Sequence, residues 1–256
     1  MLKKRFSQNL IRDVNILRKM VSLASVSNND TVAEIGSGRG DLTRVIASSA
    51  QRVIAIEIDR DMLPYLEEIS RDTPNIEIIS GDVLKMSFAG LARDKTIKVI
   101  GNIPYGITGP IIFKLISERK SIESAYLTVQ KEIGIRITAH PGTRAYGSLS
   151  VICQLVADVR VLMRIKPQVF IPPPKVESIY FSMTFRNDGD DVTQDLIVFV
   201  RLAFSHKRKI MRNALLDFYP ETRVEELYEA MQFPRSIRAE ELKPEQFPPM
   251  YRFLHP

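Results

Sequence analysis

The chain is expected to fold as an α/β protein, a largely parallel sheet with helices on both faces, followed by a small all-helical domain. Three observations carry this. Short apolar runs alternate with helical patterns at βα-unit spacing from about residue 30 to 130. A glycine-rich turn, Gly36-Ser37-Gly38-Arg39-Gly40, follows the first of those runs and opens a helix. Beyond the polar break Arg186-Asn187-Asp188-Gly189-Asp190-Asp191, only helical periodicity remains.

The strand candidates are Thr31–Ile35, Arg52–Glu57, Ile76–Ser80, Ile97–Gly101 and Ser124–Val129, each short, apolar and rich in β-branched residues. Helical patterns fall between them at Leu42–Ser48, Met62–Ser70 and Pro110–Ile116. This alternation implies parallel pairing through right-handed crossovers. Two further strands are expected at Ala157–Ile165 and Val176–Phe185. The segment from Pro167 to Pro174 between them is too proline-rich for sheet or helix. In the C-terminal part, Phe233-Pro234 and Phe247-Pro248-Pro249 are helix stops. The reading divides the chain into a sheet domain, residues 1–187, and a small helical domain, residues 188–256.

Composition narrows the function classes. With 45% hydrophobic residues in 256, the chain can bury a sizeable core. A net charge of +6 favours polyanionic partners. The N-terminal residues have no apolar signal core and no run approaches membrane-spanning length, so a cytoplasmic protein with no membrane association is expected. A single cysteine fits a reducing compartment. Cys153 sits in an apolar stretch and reads as a core residue, which excludes methylation at a cytosine ring carbon, a reaction that needs an exposed thiolate. His140, His206 and His255 are far apart and form no metal spacing, so no metal is expected.

The first three strand ends carry a cofactor pattern. The glycines after Ile35 let backbone approach a ligand closely, at a helix N-terminus that favours electronegative groups. Glu57 closes the second strand about twenty residues on, where an acid bonds ribose hydroxyls. That pair fits a nicotinamide dinucleotide and S-adenosylmethionine equally. The third strand decides between them, because it ends Ser80-Gly81-Asp82 and places a carboxylate where an adenine amine would lie. The fourth strand ends Gly101-Asn102-Ile103-Pro104-Tyr105. Alone, this segment is equally a Pro-containing turn. After the other three strand ends it reads as a target site. The Asn102 side-chain carbonyl and the Ile103 backbone carbonyl can accept both hydrogens of an exocyclic amine, Pro104 holds the preceding residue extended, and Tyr105 offers a flat face to an unstacked base. This describes methyl transfer from S-adenosylmethionine to the amino group of adenine or cytosine, on a Rossmann-like class I methyltransferase sheet.

Over nearly its whole length the chain resembles the KsgA family of small-subunit rRNA adenine dimethyltransferases. Lys3-Lys4-Arg5-Phe6-Ser7-Gln8-Asn9-Leu10-Ile11 is similar to that family's N-terminal motif, Gln130-Lys131-Glu132 with Pro141 to Ser150 to its loop after the fifth strand, and Phe170 to Ser178 to its target-side motif. Phe204-Ser205-His206-Lys207-Arg208-Lys209-Ile210-Met211-Arg212-Asn213 resembles the basic helix of its C-terminal domain. That last motif separates it from the erythromycin-resistance methyltransferases of large-subunit rRNA. The resemblance implies cofactor contacts from Asn9, Ile11, Gly36, Glu57, Asp82 and Asn102. It implies a target site of Asn102, Ile103, Pro104 and Tyr105, with Phe170 stacking opposite Tyr105. It implies a monomeric enzyme that dimethylates two adjacent adenosines in a loop near the 3′ end of small-subunit rRNA, with the immature small ribosomal subunit as partner. Phosphate contacts are expected from Lys207, Arg208, Lys209 and Arg212. Gly106, Ser7 and Leu10 depart from the family pattern, which has Asn, Gly and Phe there. The intact acid pair and target turn argue against a non-catalytic binding factor, and the lack of a large target-recognition region argues against a DNA methyltransferase.

Overall fold

The computed structural model describes residues 9–93, 95–186, 192–206 and 209–255. The expected division near residue 188 lies outside the described residues, as do Lys3 to Gln8, Lys207 and Arg208.

A seven-stranded sheet runs in the order β4 (Ile76–Ser80), β3 (Arg52–Glu57), β2 (Thr31–Ile35), β5 (Ile97–Asn102), β6 (Ile122–Gln130), β9 (Ser178–Phe185) and β7 (Ala157–Ile165). The pairings among β4, β3, β2, β5 and β6 are parallel, and β9 joins β6 antiparallel. All seven strands fall where the sequence places them, within two residues at each end. Val53, Ile54, Ala55 and Ile56 of β3 are all buried, as a parallel strand covered on both faces requires. The helices between strands are α2 (Asp41–Ala47), α3 (Leu63–Arg71), α4 (Phe88–Ala92) and α5 (Thr108–Ser117). The chain winds from β2 outward to β4, then returns to place β5 on the other side of β2. That reversal opens a crevice beyond the carboxyl ends of β2 and β5, the ligand position of open α/β sheets. At the opposite end of the sheet, the buried Lys98 ammonium is satisfied internally by Asp30 at 3.0 Å and the Ser25 carbonyl at 2.9 Å.

Several elements were not expected, an N-terminal helix and a two-stranded ribbon among them. Helix α1 (Val14–Leu23) starts at Asp13, whose carboxylate caps it by accepting from the Asn15 and Ile16 amides at 2.9 and 3.3 Å. Within the proline-rich segment, β8 (Phe170–Ile171) forms a two-stranded antiparallel ribbon with β1 (Leu10–Ile11). The ribbon stops where Pro172 begins, since proline has no N–H to extend it.

Chain contacts divide the protein into two units, one comprising the chain up to Gly134 with Arg160–Phe185, the other Ile135–Val159 with Arg186–Pro256. The second unit thus includes residues the sequence reading assigned to the sheet. Its helix α7 (Ser148–Val156) follows a loop pinned to the C-terminal segment, with the Gly142 amide donating to the Glu240 carbonyl and the Tyr146 hydroxyl to that of Leu242, both at 2.8 Å. Helix α6 (Lys131–Ile137) precedes that loop, and α8 (Gln194–Ala203), α9 (Met211–Leu216), α10 (Glu221–Ala230) and α11 (Phe247–Leu254) complete the helices. Cys153, on α7, is fully buried, and burial pushes its thiol up to about 12, so it is inert as a nucleophile.

The expected basic helix is not one continuous helix. Helix α8 ends at Ala203, Ser205 and His206 form a bend, and α9 begins only at Met211. Arg212, on α9, is claimed by two carboxylates, Glu221 at 2.5 Å and Glu225 at 2.6 Å. In this structure its guanidinium is thus paired within the unit rather than left free.

Candidate active site

The carboxyl ends of β2 to β5 surround a cavity of about 240 Å³. Asn9, Gly36, Glu57, Asp82, Asn102, Ile103, Pro104 and Tyr105, all named from sequence, line it together. Two others do not. Ile11 is buried beside the cavity rather than in its wall. Phe170 is 1% exposed, in the same buried cluster as Ile11 and Tyr180. Because β8 pairs with β1, the Phe170 ring is turned into the core and presents no free face opposite Tyr105.

The cofactor side is built by backbone geometry. Gly36, Gly38 and Gly40 all have positive φ. Gly40 is the tightest, since at φ +82° an added Cβ would stand 2.2 Å from Ile69 Cδ1, and Gly38, at φ +56°, would put one 2.8 Å from Leu10 Cδ2. The Gly38 amide donates to Glu57 Oε2 at 2.7 Å, while the Asp59 amide donates to Oε1 at 2.8 Å. Both carboxylate oxygens are thereby aimed, each with lone-pair capacity left for a ligand. Burial raises the Glu57 pKa and these backbone bonds oppose the rise. Asp82 caps the turn after β4 by accepting from the Leu84 amide at 3.0 Å, and also lines the cavity. The turn-forming reading of that residue thus holds, with its side chain placed in the cavity wall. Ile58 and Val83 add apolar walls that the sequence reading did not name, Ile58 remaining 48% exposed. An acid fit for hydroxyls, a second acid for an amine, apolar walls for a flat ring and a glycine turn open to close approach together fit S-adenosylmethionine.

The turn after β5 is ordered just as closely. The Asn102 amide group donates to the Asn9 carbonyl. Since a carbonyl only accepts, this fixes which end of the Asn102 amide faces Asn9 and leaves Oδ1 as the free acceptor. The Ile103 amide donates to the Thr128 carbonyl at 3.1 Å, and Pro104 sits at φ −55° and ψ 127°. These fix the turn that carries the Ile103 carbonyl. Tyr105 opens a short 3₁₀ turn, and its hydroxyl is 2.8 Å from Ser178 Oγ. Partial burial raises the phenol pKa, so the ring stays neutral. Gly106 also lines the cavity, and a Cβ there would meet nothing within 4 Å. The departure from Asn at this position is therefore not forced by lack of space.

Behind the glycine turn, Glu34 is buried at the end of β2, with the Thr43 hydroxyl donating to it at 2.5 Å. Burial raises its pKa to about 7. The folded state keeps this proton where the unfolded chain releases it, so stability falls as pH rises from about 4.5 to 7. Glu34→Gln removes the charge to be buried. The expected result is a variant similar to the parent at pH 5 and more stable at pH 8, by up to about 3 kcal/mol, measured by urea unfolding. A parent and variant with parallel pH dependence would contradict this.

The fold and the site together define a methyltransferase. The chain belongs to the ribosomal RNA adenine dimethylase family, whose description matches residues 1–255. It is 40% identical over 219 residues to the ribosomal RNA small subunit methyltransferase A of Alkaliphilus metalliredigens, covering 83% of this chain and 76% of the relative. Against the protein of that name from Levilactobacillus brevis it is 37% identical over 255 residues, covering 94% and 86%. Among solved structures, a dimethyladenosine transferase from Plasmodium falciparum superposes with a TM-score of 0.84 at 27% identity, covering 94% of this chain and 95% of that one. The 23S rRNA methyltransferase ErmE superposes at 0.76 with 25% identity, covering 97% and 100%. Identity is thus higher with the small-subunit enzymes than with the large-subunit one. Among the described residues no helix is long and apolar enough to cross a membrane, and no group of His, Cys, Asp or Glu is placed to hold a metal.

Proposed function

We propose that the protein dimethylates the amino groups of two adjacent adenosines near the 3′ end of small-subunit rRNA, using S-adenosylmethionine and acting on the immature small subunit. The observation that carries this is the orientation of Asn102, whose amide nitrogen is held by Asn9 so that its carbonyl oxygen is left as an acceptor, on a residue lining the same cavity as Tyr105. S-adenosylmethionine, when bound, supplies the methyl electrophile. Glu57 and Asp82 hold it through hydroxyl and amine contacts, and the Gly36–Gly40 turn admits it.

The adenine amine is a weak nucleophile because its lone pair is delocalised into the ring. Acceptance of both its hydrogens by Asn102 Oδ1 and the Ile103 carbonyl draws that pair out of conjugation toward the electrophile. No residue needs to remove a proton first, because the amine becomes acidic only once alkylated and then loses its proton to solvent. Catalysis is therefore positioning and charge redistribution. Flipping the base costs a few kcal/mol, least in a loop, and stacking on Tyr105 returns about 1–3 kcal/mol. That balance favours an RNA loop over a stable duplex. The sheet unit carries out the chemistry, and the helical unit, with Lys209 exposed on it, contributes RNA contacts.

Isotopically labelled S-adenosylmethionine offered with immature small subunits and with large subunits tests the substrate. Label is expected in small-subunit RNA. Label in large-subunit RNA would favour the erythromycin-resistance type of reaction, and no label in either would favour a non-catalytic binding factor.

A further inference from the structure

We propose that Ser178 is a positioning residue for Tyr105, its hydroxyl anchoring the phenol so that the ring is already set in the plane that receives the target base. This rests on the reading of Tyr105 as the base platform. The two hydroxyls are 2.8 Å apart. Ser178 is the first residue of β9, fully buried, and paired with Gln130 at the end of β6. Its Oγ is therefore fixed to the sheet. The residue before it is fastened as well, since the Lys131 amide donates to the Glu177 carbonyl at 2.9 Å. The Lys131 ammonium adds a bond to the Glu177 carboxylate at 2.5 Å. Both side chains of that ion pair are 39% exposed, so it contributes little on its own. The backbone bond and the strand pairing hold the anchor.

Tyr105 has no such support along its own chain. It sits in a single 3₁₀ turn, closed by the Ile107 amide on the Pro104 carbonyl at 3.1 Å. Its ring is only half-buried, so without a partner at the hydroxyl it can change rotamer. A ring fixed at both ends loses no rotational freedom when a base stacks on it, and that saving appears in the RNA-dependent steps. The anchor also occupies the phenol hydroxyl, so the ring offers the base a face rather than a hydrogen-bonding tip. Tyr105→Phe keeps the face and removes the anchor. It should therefore behave like Ser178→Ala.

The test measures kcat and KM on immature small subunits, together with S-adenosylhomocysteine affinity by calorimetry. It compares the parent with Ser178→Ala, Tyr105→Phe, the double variant, Ser178→Thr and Tyr105→Ala. Each anchor variant is expected to lower kcat/KM by about five- to tenfold, the loss of one hydrogen bond. The double variant is expected to be no worse than either single, Ser178→Thr to recover part of the loss, and affinity for S-adenosylhomocysteine to stay at the parental value throughout. Additive losses in the double variant would overturn the proposal, as would a fall in S-adenosylhomocysteine affinity that matches the fall in turnover. If Ser178→Ala equals the parent while Tyr105→Ala is inactive, the platform reading stands and the anchor falls. If Tyr105→Ala is itself fully active, both fall.

Discussion

Replacing Tyr105 by alanine is expected to lower methyl transfer to RNA by about tenfold to a hundredfold, the equivalent of a lost stacking face, with no loss of cofactor affinity. The separation follows from the geometry. Tyr105 lies on the wall formed after β5, whereas the groups proposed to hold the cofactor, Glu57, Asp82 and the turn after β2, lie at the ends of β3, β4 and β2. Single-turnover kinetics on immature small subunits, with S-adenosylmethionine binding measured in parallel, reads both quantities. Equal rates for parent and variant would make Tyr105 a rim aromatic and move the target adenine elsewhere.

Replacing Glu57 by alanine is expected to have the opposite profile. A charged hydrogen bond contributes about 1.5–3 kcal/mol, so loss of the acid should weaken cofactor binding at least tenfold. The structure adds a second reason. Glu57 also accepts from the Gly38 amide, so its removal releases the glycine turn that the cofactor approaches. Glu57→Gln keeps an oxygen for one of the two backbone donors, and its loss is expected to lie between parent and Glu57→Ala. Calorimetry with S-adenosylmethionine decides, and an unchanged affinity would remove the cofactor assignment. Because burial raises the Glu57 pKa, parental affinity is also expected to weaken as acidification protonates this acceptor.

Much of this site is legible in the sequence because open α/β sheets gather ligand groups at strand ends. Four short apolar runs, each followed by a polar or glycine turn, predict both the strands and the residues that converge. Glu57, Asp82 and Asn102 needed no long-range information to be found. The contacts that depend on chain crossing were not legible. Ser178 and Tyr105 are far apart in sequence, and only the antiparallel entry of β9 beside β6 joins them. Phe170 carries the opposite lesson. An aromatic next to prolines suggests a rim stacker, but pairing of β8 with β1 turns it into the core. No local signal reports that pairing. For α1, a signal existed. Asp13 is a cap, followed at helical spacing by the buried Leu17, Met20 and Val21. In the helical unit, charge counting saw Arg212 as basic surface. Glu221 and Glu225 lie nine and thirteen residues along the chain, on the next helix, and fold back onto it, which composition does not encode.

The central claim is that the turn at Asn102 to Tyr105 presents the amino group of an adenine, twice, to a methyl donor. Tandem mass spectrometry of nuclease fragments of rRNA from immature small subunits treated with the protein and S-adenosylmethionine tests it most directly. N6,N6-dimethyladenosine at two neighbouring positions is the expected product. Methyl groups on another base or another ring atom, or adenosine left unmodified, would contradict it.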